Sequence, residues 1–142
     1  MTIYTDTSFI VSLYSLDGNS EAALAIMEAS SGVRLVTTFG ELEVVNALML
    51  RHFRKEVSSA QARSALADFE RDLRSGVFRL RPLPEQTFAR ARQLSQQTTV
   101  KLGTRTADLL HVAAALELQA DYLYSFDKRQ RALAQAVQLE LN

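Results

Sequence analysis

The stretch IYTDTSFIVSLYSL, residues 3–16, decides the fold class. Its periodicity predicts a short strand, Ile3–Asp6, that runs directly into a helix over about Ser8–Leu16. The same alternation continues outward along the chain. A turn at Asp17, Gly18 and Asn19 precedes a helix capped by Asn19 or Ser20 and reaching about Ala29. Arg34–Thr37 reads as a second strand. Thr38, with Glu41 three residues on, offers a capping box for a long helix to about Lys55. Ser58 or Ser59 caps the next helix, which stops at Gly76. Strand-like Val77–Leu80 leads through Pro82 and Pro84 to a helix from Glu85 to about Gln97. A helix from Thr106 to about Gln119, a strand Tyr122–Phe126, a helix Lys128–Val137 and a short strand Leu139–Leu141 complete the pattern. Short strands alternating with helices imply an α/β fold, a parallel sheet covered on both faces.

Composition narrows the function. At 142 residues the expectation is one domain, 1–142, and no Pro/Gly/Ser-rich linker or repeat divides it. Apolar residues make up 47% and charged residues 23%, which excludes a disordered or collagen-like chain. No apolar run approaches the ~18 residues of a membrane span. The N-terminal MTIYTDTSF lacks the basic segment and long apolar stretch of a signal peptide, so a cytoplasmic protein without membrane contact is expected. With no cysteine there is no disulfide framework, thiolate zinc site or cysteine nucleophile. Sixteen basic residues balance sixteen acidic ones, so no global field draws in a polyanion. Thirteen of the cations are arginines, which make forked contacts with phosphate, although solvated helix faces and a GC-rich genome are the plainer explanation.

In open α/β sheets, ligands bind beyond the carboxyl ends of the strands. Asp6 ends the first strand and Asp127 the strand Tyr122–Phe126, so both project toward that edge. An aspartate there also serves simply to cap the next helix. Glu43 lies among Leu42, Val44, Val45, Ala47, Leu48, Met49 and Leu50, so its helix is expected to be buried, with Glu41 as the cap residue. Burying even a neutral polar group unpaired costs ~2–7 kcal/mol, so a carboxylate there needs a partner. Asp108 repeats the pattern in ADLLHVAAAL, residues 107–116, where only His111 is also polar. A buried salt bridge to Arg105 or a helix-dipole contact is its plain explanation. Taken together, four carboxylates near one sheet edge repel strongly unless a hard cation sits among them. Oxygen-only ligation suits Mg²⁺ or Mn²⁺, an arrangement used for in-line phosphodiester hydrolysis.

Four segments carry a family resemblance: YTDTSFIVSLY, ELEVVNAL, RTADLLHVAAALELQA and YLYSFDKRQRALA, residues 4–14, 41–48, 105–120 and 122–134. In this order and spacing the chain resembles PIN-domain ribonucleases, and specifically the VapC-type toxins of bacterial toxin–antitoxin operons, over nearly its whole length. The resemblance implies that Asp6, Glu43, Asp108 and Asp127 are the catalytic, metal-binding acids of a Mg²⁺- or Mn²⁺-dependent endoribonuclease. Ser125, two positions before the fourth acid, is implied to orient a carboxylate or phosphate. The implied fold is a three-layer α/β/α sandwich with parallel strands in the order 3-2-1-4-5, which sets the strands ending in Asp6 and Asp127 side by side. An RNA substrate, a homodimer and an antitoxin segment lying across an apolar groove are the implied partners.

Other readings are weaker. His111 follows Asp108 by three residues on one helix face, but a carboxylate–imidazole metal site needs two such pairs, and the other histidine, His52, has no carboxylate at that spacing. A satisfied core or rim histidine is the plainer reading. A phosphatase nucleophile at Asp6 wants a second aspartate two residues on, where Ser8 stands. No phosphate-binding G-x-x-x-x-G-K-[ST] or dinucleotide G-x-G-x-x-G is present. Two alternatives stay open: a PIN nuclease of RNA maturation rather than a toxin, and a catalytically idle PIN-like module that binds RNA or protein. Loss of one acid would mark the idle module, and all four are present. RNA contact at zero net charge needs a local basic rim, for which Lys101, Arg105, Lys128 and Arg129 are the candidates, with Arg51 and Arg54 further along the Glu43 helix. Leu48, Met49, Leu50, Phe53, Leu66 and Phe69 exceed one core-facing stripe and suggest an interaction surface.

Overall fold

The computed structural model describes residues 1–142. Its elements are β1 (Thr2–Thr5), α1 (Thr7–Tyr14), α2 (Ser20–Ala29), β2 (Val33–Thr37), α3 (Thr38–Phe53) and α4 (Ser59–Ser75), followed by β3 (Arg79–Arg81), α5 (Thr87–Leu102), α6 (Thr106–Glu117), β4 (Tyr122–Tyr124), α7 (Lys128–Ala136) and β5 (Glu140–Leu141). The strands pair in parallel in the order β3-β2-β1-β4-β5, as expected. Tyr4 of β1 stands level with Leu35 of β2 and Leu123 of β4, so β1 and β4 end together.

Alternation along the strands builds the two apolar layers. Ile3 packs with Phe9, Ala23 and Tyr124 on one face, where α1 to α4 lie against one another. On the other face Tyr4 and Leu123 join α5, α6 and α7. Burial on both faces leaves Ile3, Tyr4, Thr5 and Leu123 without exposed surface. Helix α6 is buried from Asp108 through Ala115, and its run of alanines lets it lie close to its neighbours. No helix is long and apolar enough to cross a membrane.

Several local expectations shift. Helix α3 is capped by Thr37, whose hydroxyl accepts from Gly40 N at 3.2 Å, so the Thr38–Glu41 capping box does not form and Glu41 is not the cap residue. The same helix is half-buried rather than buried. It turns Gly40, Val44 and Leu48 inward and leaves Leu42 67% exposed. It lies over β2 and the edge strand β3 with α1 and α4 beside it, and no element covers its outer side. Helix α5 runs past Gln97 to Leu102, where Gly103 ends it in the left-handed region at φ 64°. Strand β3 starts at Arg79, because Phe78 turns into the core between α4 and β2.

Candidate functional site

The parallel ends of β1 and β4 place Asp6 and Ser125 beside each other. Asp6 N donates to Tyr124 O at 3.1 Å, and the Ser125 hydroxyl donates to Asp6 Oδ2 at 2.7 Å. Asp6 has no exposed surface. It caps α1, accepting from Phe9 N at 2.9 Å, and takes a further hydrogen bond from the Ser8 hydroxyl at 2.8 Å. Burial pushes its carboxyl above the usual range, against the opposing pull of His111, Ser125, Phe9 and Ser8. Ser125 Oγ in turn accepts from Asp127 N at 3.0 Å, tying the two aspartate positions together. Asp127 caps α7 through Arg129 N and Gln130 N, at 2.9 and 3.1 Å. Both strand-end aspartates are thus helix caps, and capping fixes them at the sheet edge.

Asp108 lies in the first turn of α6, its side chain 1% exposed, and accepts from Arg105 N at 2.8 Å. The Arg105 guanidinium spans from Asp108, at 3.3 Å, to Asp127, at 3.1 Å. Glu43 reaches in from α3, accepting from the Thr7 hydroxyl at 2.7 Å and from His111 Nε2. Burial pushes the Glu43 carboxyl up, but His111, Thr7 and Arg105 outweigh it and hold it below its usual range.

Glu43, Asp108 and Asp127 line one cleft of about 530 Å³, together with Asp17 and Arg105, while Asp6 lies beneath the cleft's Thr7 and Ser8. The expectation of uncompensated repulsion is corrected here. Arg105 neutralises Asp108 and Asp127, His111 holds Glu43, and hydroxyls hold Asp6. No three acidic or imidazole groups stand at metal-ligating distance with these partners in place. The donor set still fits a hard divalent cation. The cleft is lined by four carboxylates against one guanidinium and offers only oxygen among hard-cation donors.

Of the basic residues named from sequence, Arg105 lines the cleft; Lys101, Lys128 and Arg129 are exposed but do not line it. Arg51 points elsewhere, bonded to Ser15, to Leu16 O and, at 3.1 Å, to Glu56. Sequence reasoning missed the partnership of Glu43 with Thr7 and His111. His111 had a local neighbour in Asp108, and nothing in the sequence indicates a partner 68 residues away.

A family model described as the PIN domain matches residues 3–136. Among solved structures, the chain is similar in fold to VapC20 of Mycobacterium tuberculosis, described as a toxin that cleaves the sarcin–ricin loop. That match has 19% identity and a TM-score of 0.69, covering 92% of this chain and 93% of that one. Comparison with curated protein sequences returns no significant match.

Proposed function

The chain belongs to the PIN domain family, and on that footing we propose that it is a Mg²⁺- or Mn²⁺-dependent endoribonuclease, the toxin of a toxin–antitoxin pair. One observation carries the reading: an acidic, oxygen-lined cleft at the carboxyl edge of the sheet, with Glu43, Asp108 and Asp127 in its wall and Asp6 beneath. These four carboxylates would hold the cation. The chemistry such an ion supplies when bound is Lewis acidity toward water and the scissile phosphodiester. Ser125 keeps Asp6 oriented and stays tied to the Asp127 backbone. With Asp108 and Asp127 holding a cation, Arg105 would be free to offer forked donors to an RNA phosphate. The exposed Lys101, Lys128 and Arg129 would add positive charge for RNA outside the cleft. The reading extends to a homodimer and to a protein antitoxin, supported by apolar Leu42, Met49 and Phe53 exposed on α3.

The test is cleavage of single-stranded and looped RNA by purified protein with Mg²⁺ or Mn²⁺, with EDTA, and with Asp6→Ala alongside. Cleavage only with metal, abolished by EDTA and by the substitution, is the expected result. Cleavage that persists in EDTA would sink the metal mechanism. A gene for a small DNA-binding antitoxin directly upstream separates the toxin role from one in RNA maturation.

A further inference from the structure

Behind the cleft lies a buried chain of polar groups that ends on Glu43. His111 has no exposed surface. Its Nε2 bonds Glu43 Oε1, its Nδ1 lies 2.9 Å from the Tyr4 hydroxyl, and that hydroxyl lies 3.2 Å from Thr37 Oγ1. Thr37 Oγ1 in turn accepts from Gly40 N at 3.2 Å. The two ends fix the direction of the outermost bonds. Gly40 N–H only donates, so Thr37 Oγ1 accepts there, and its hydroxyl keeps a proton and a lone pair for the bond it shares with Tyr4. The Glu43 carboxylate only accepts, so Nε2 donates to it, and Nδ1 shares the second hydrogen bond with the Tyr4 hydroxyl. Burial pushes the Tyr4 hydroxyl above its usual range, which keeps its proton in place.

The Thr7 hydroxyl also falls on Glu43 Oε1, at 2.7 Å. Both donors therefore occupy one oxygen, and Oε2 is the oxygen left for the cleft. We infer that His111, held by Tyr4 and Thr37, is a positioning residue that ties one oxygen of Glu43 and presents the other to a divalent cation. Helix α6 then serves the cleft twice, directly through Asp108 and one turn later through the imidazole. The inference rests on the proposal that Glu43 is a metal ligand. Partners behind metal ligands typically alter metal affinity ~10–100-fold, whereas a histidine that only fills the core changes stability.

Mn²⁺ affinity, measured by calorimetry or electron paramagnetic resonance on the whole protein, separates the two. Tyr4→Phe removes one hydroxyl and His111→Leu the whole donor. Each is expected to weaken Mn²⁺ binding by ~10–100-fold while thermal melts show a folded protein. His111→Gln keeps an amide N–H facing Glu43 and should recover affinity to within about threefold of wild type. Long-range ¹H–¹⁵N spectra of the metal-free protein should show a proton on His111 Nε2, facing Glu43. If His111→Leu fails to fold, Tyr4→Phe decides. Folded variants that bind Mn²⁺ as wild type does, or a Gln variant no better than Leu, would overturn the role of His111 and leave the metal reading standing. A wild-type protein that binds no Mn²⁺ would overturn both.

Discussion

Asp6 accepts hydrogen bonds from Phe9 N and from the hydroxyls of Ser8 and Ser125, yet has no exposed surface. Burial dominates and holds its carboxyl above the usual range. Folding therefore favours the protonated form more than the unfolded chain does. Its contribution is fully present in acid and is lost as pH rises through the folded-state pKa. Asparagine caps a helix about as well as aspartate and carries no charge. In EDTA at pH 7, Asp6→Asn should melt at or above wild type, by about 2–4 °C per recovered kcal/mol. The gap should close as pH falls toward 4, and melts across that range measure it. Mg²⁺ should raise the wild-type melting temperature by mass action, and the variant should lose most of that rise. A variant several degrees less stable at pH 7 would mean that the hydrogen bonds to the charged form outweigh its burial.

Helix α3 depends on a close approach at its first turn. A Cβ on Gly40 would meet Val36 Cγ2 at 3.2 Å, Thr37 Oγ1 at 3.5 Å and His111 Cε1 at 3.7 Å. In a free helix, glycine to alanine gains ~1 kcal/mol. Here Val36 is fully buried, and its branched side chain has little room to yield. Overpacking of this kind typically costs ~1–3 kcal/mol. Gly40→Ala should therefore lower stability, read as a shift of the denaturation midpoint with unchanged slope. A gain would show that the α3 start has slack and that Glu43 is held less rigidly than its contacts suggest.

Across the whole molecule, the apolar residues that exceed one stripe divide in two. Leu48 and Phe69 are buried with Ile10, Val36 and Val44, and Leu66 packs on that cluster. Met49 and Phe53 remain exposed at 37% and 80%, joined by Leu42 on the outer side of α3. If a second copy covers this side, light scattering at micromolar concentration gives a dimer mass. Phe53→Glu then shifts it to monomer, while the unfolding free energy of the monomer stays within the small range of a surface change, about ±0.5 kcal/mol. A monomeric wild-type protein would count against the dimer.

The alternation of short apolar runs with amphipathic stretches made the element order legible, and four spaced segments made the strand order 3-2-1-4-5 legible through the family they resemble. The two helix caps and the Arg105–Asp108 ion pair were legible too, because their partners lie within three residues along the chain. What the sequence left open was decided between elements. Arg105 meets Asp127 across 22 residues, and Glu43 meets His111 across 68. The exposed side of α3 became visible only once β3, α1 and α4 were placed around it. Periodicity tells which residues of one element share a face. Which face then meets which neighbour follows from the packing of the whole core, and no local spacing encodes it.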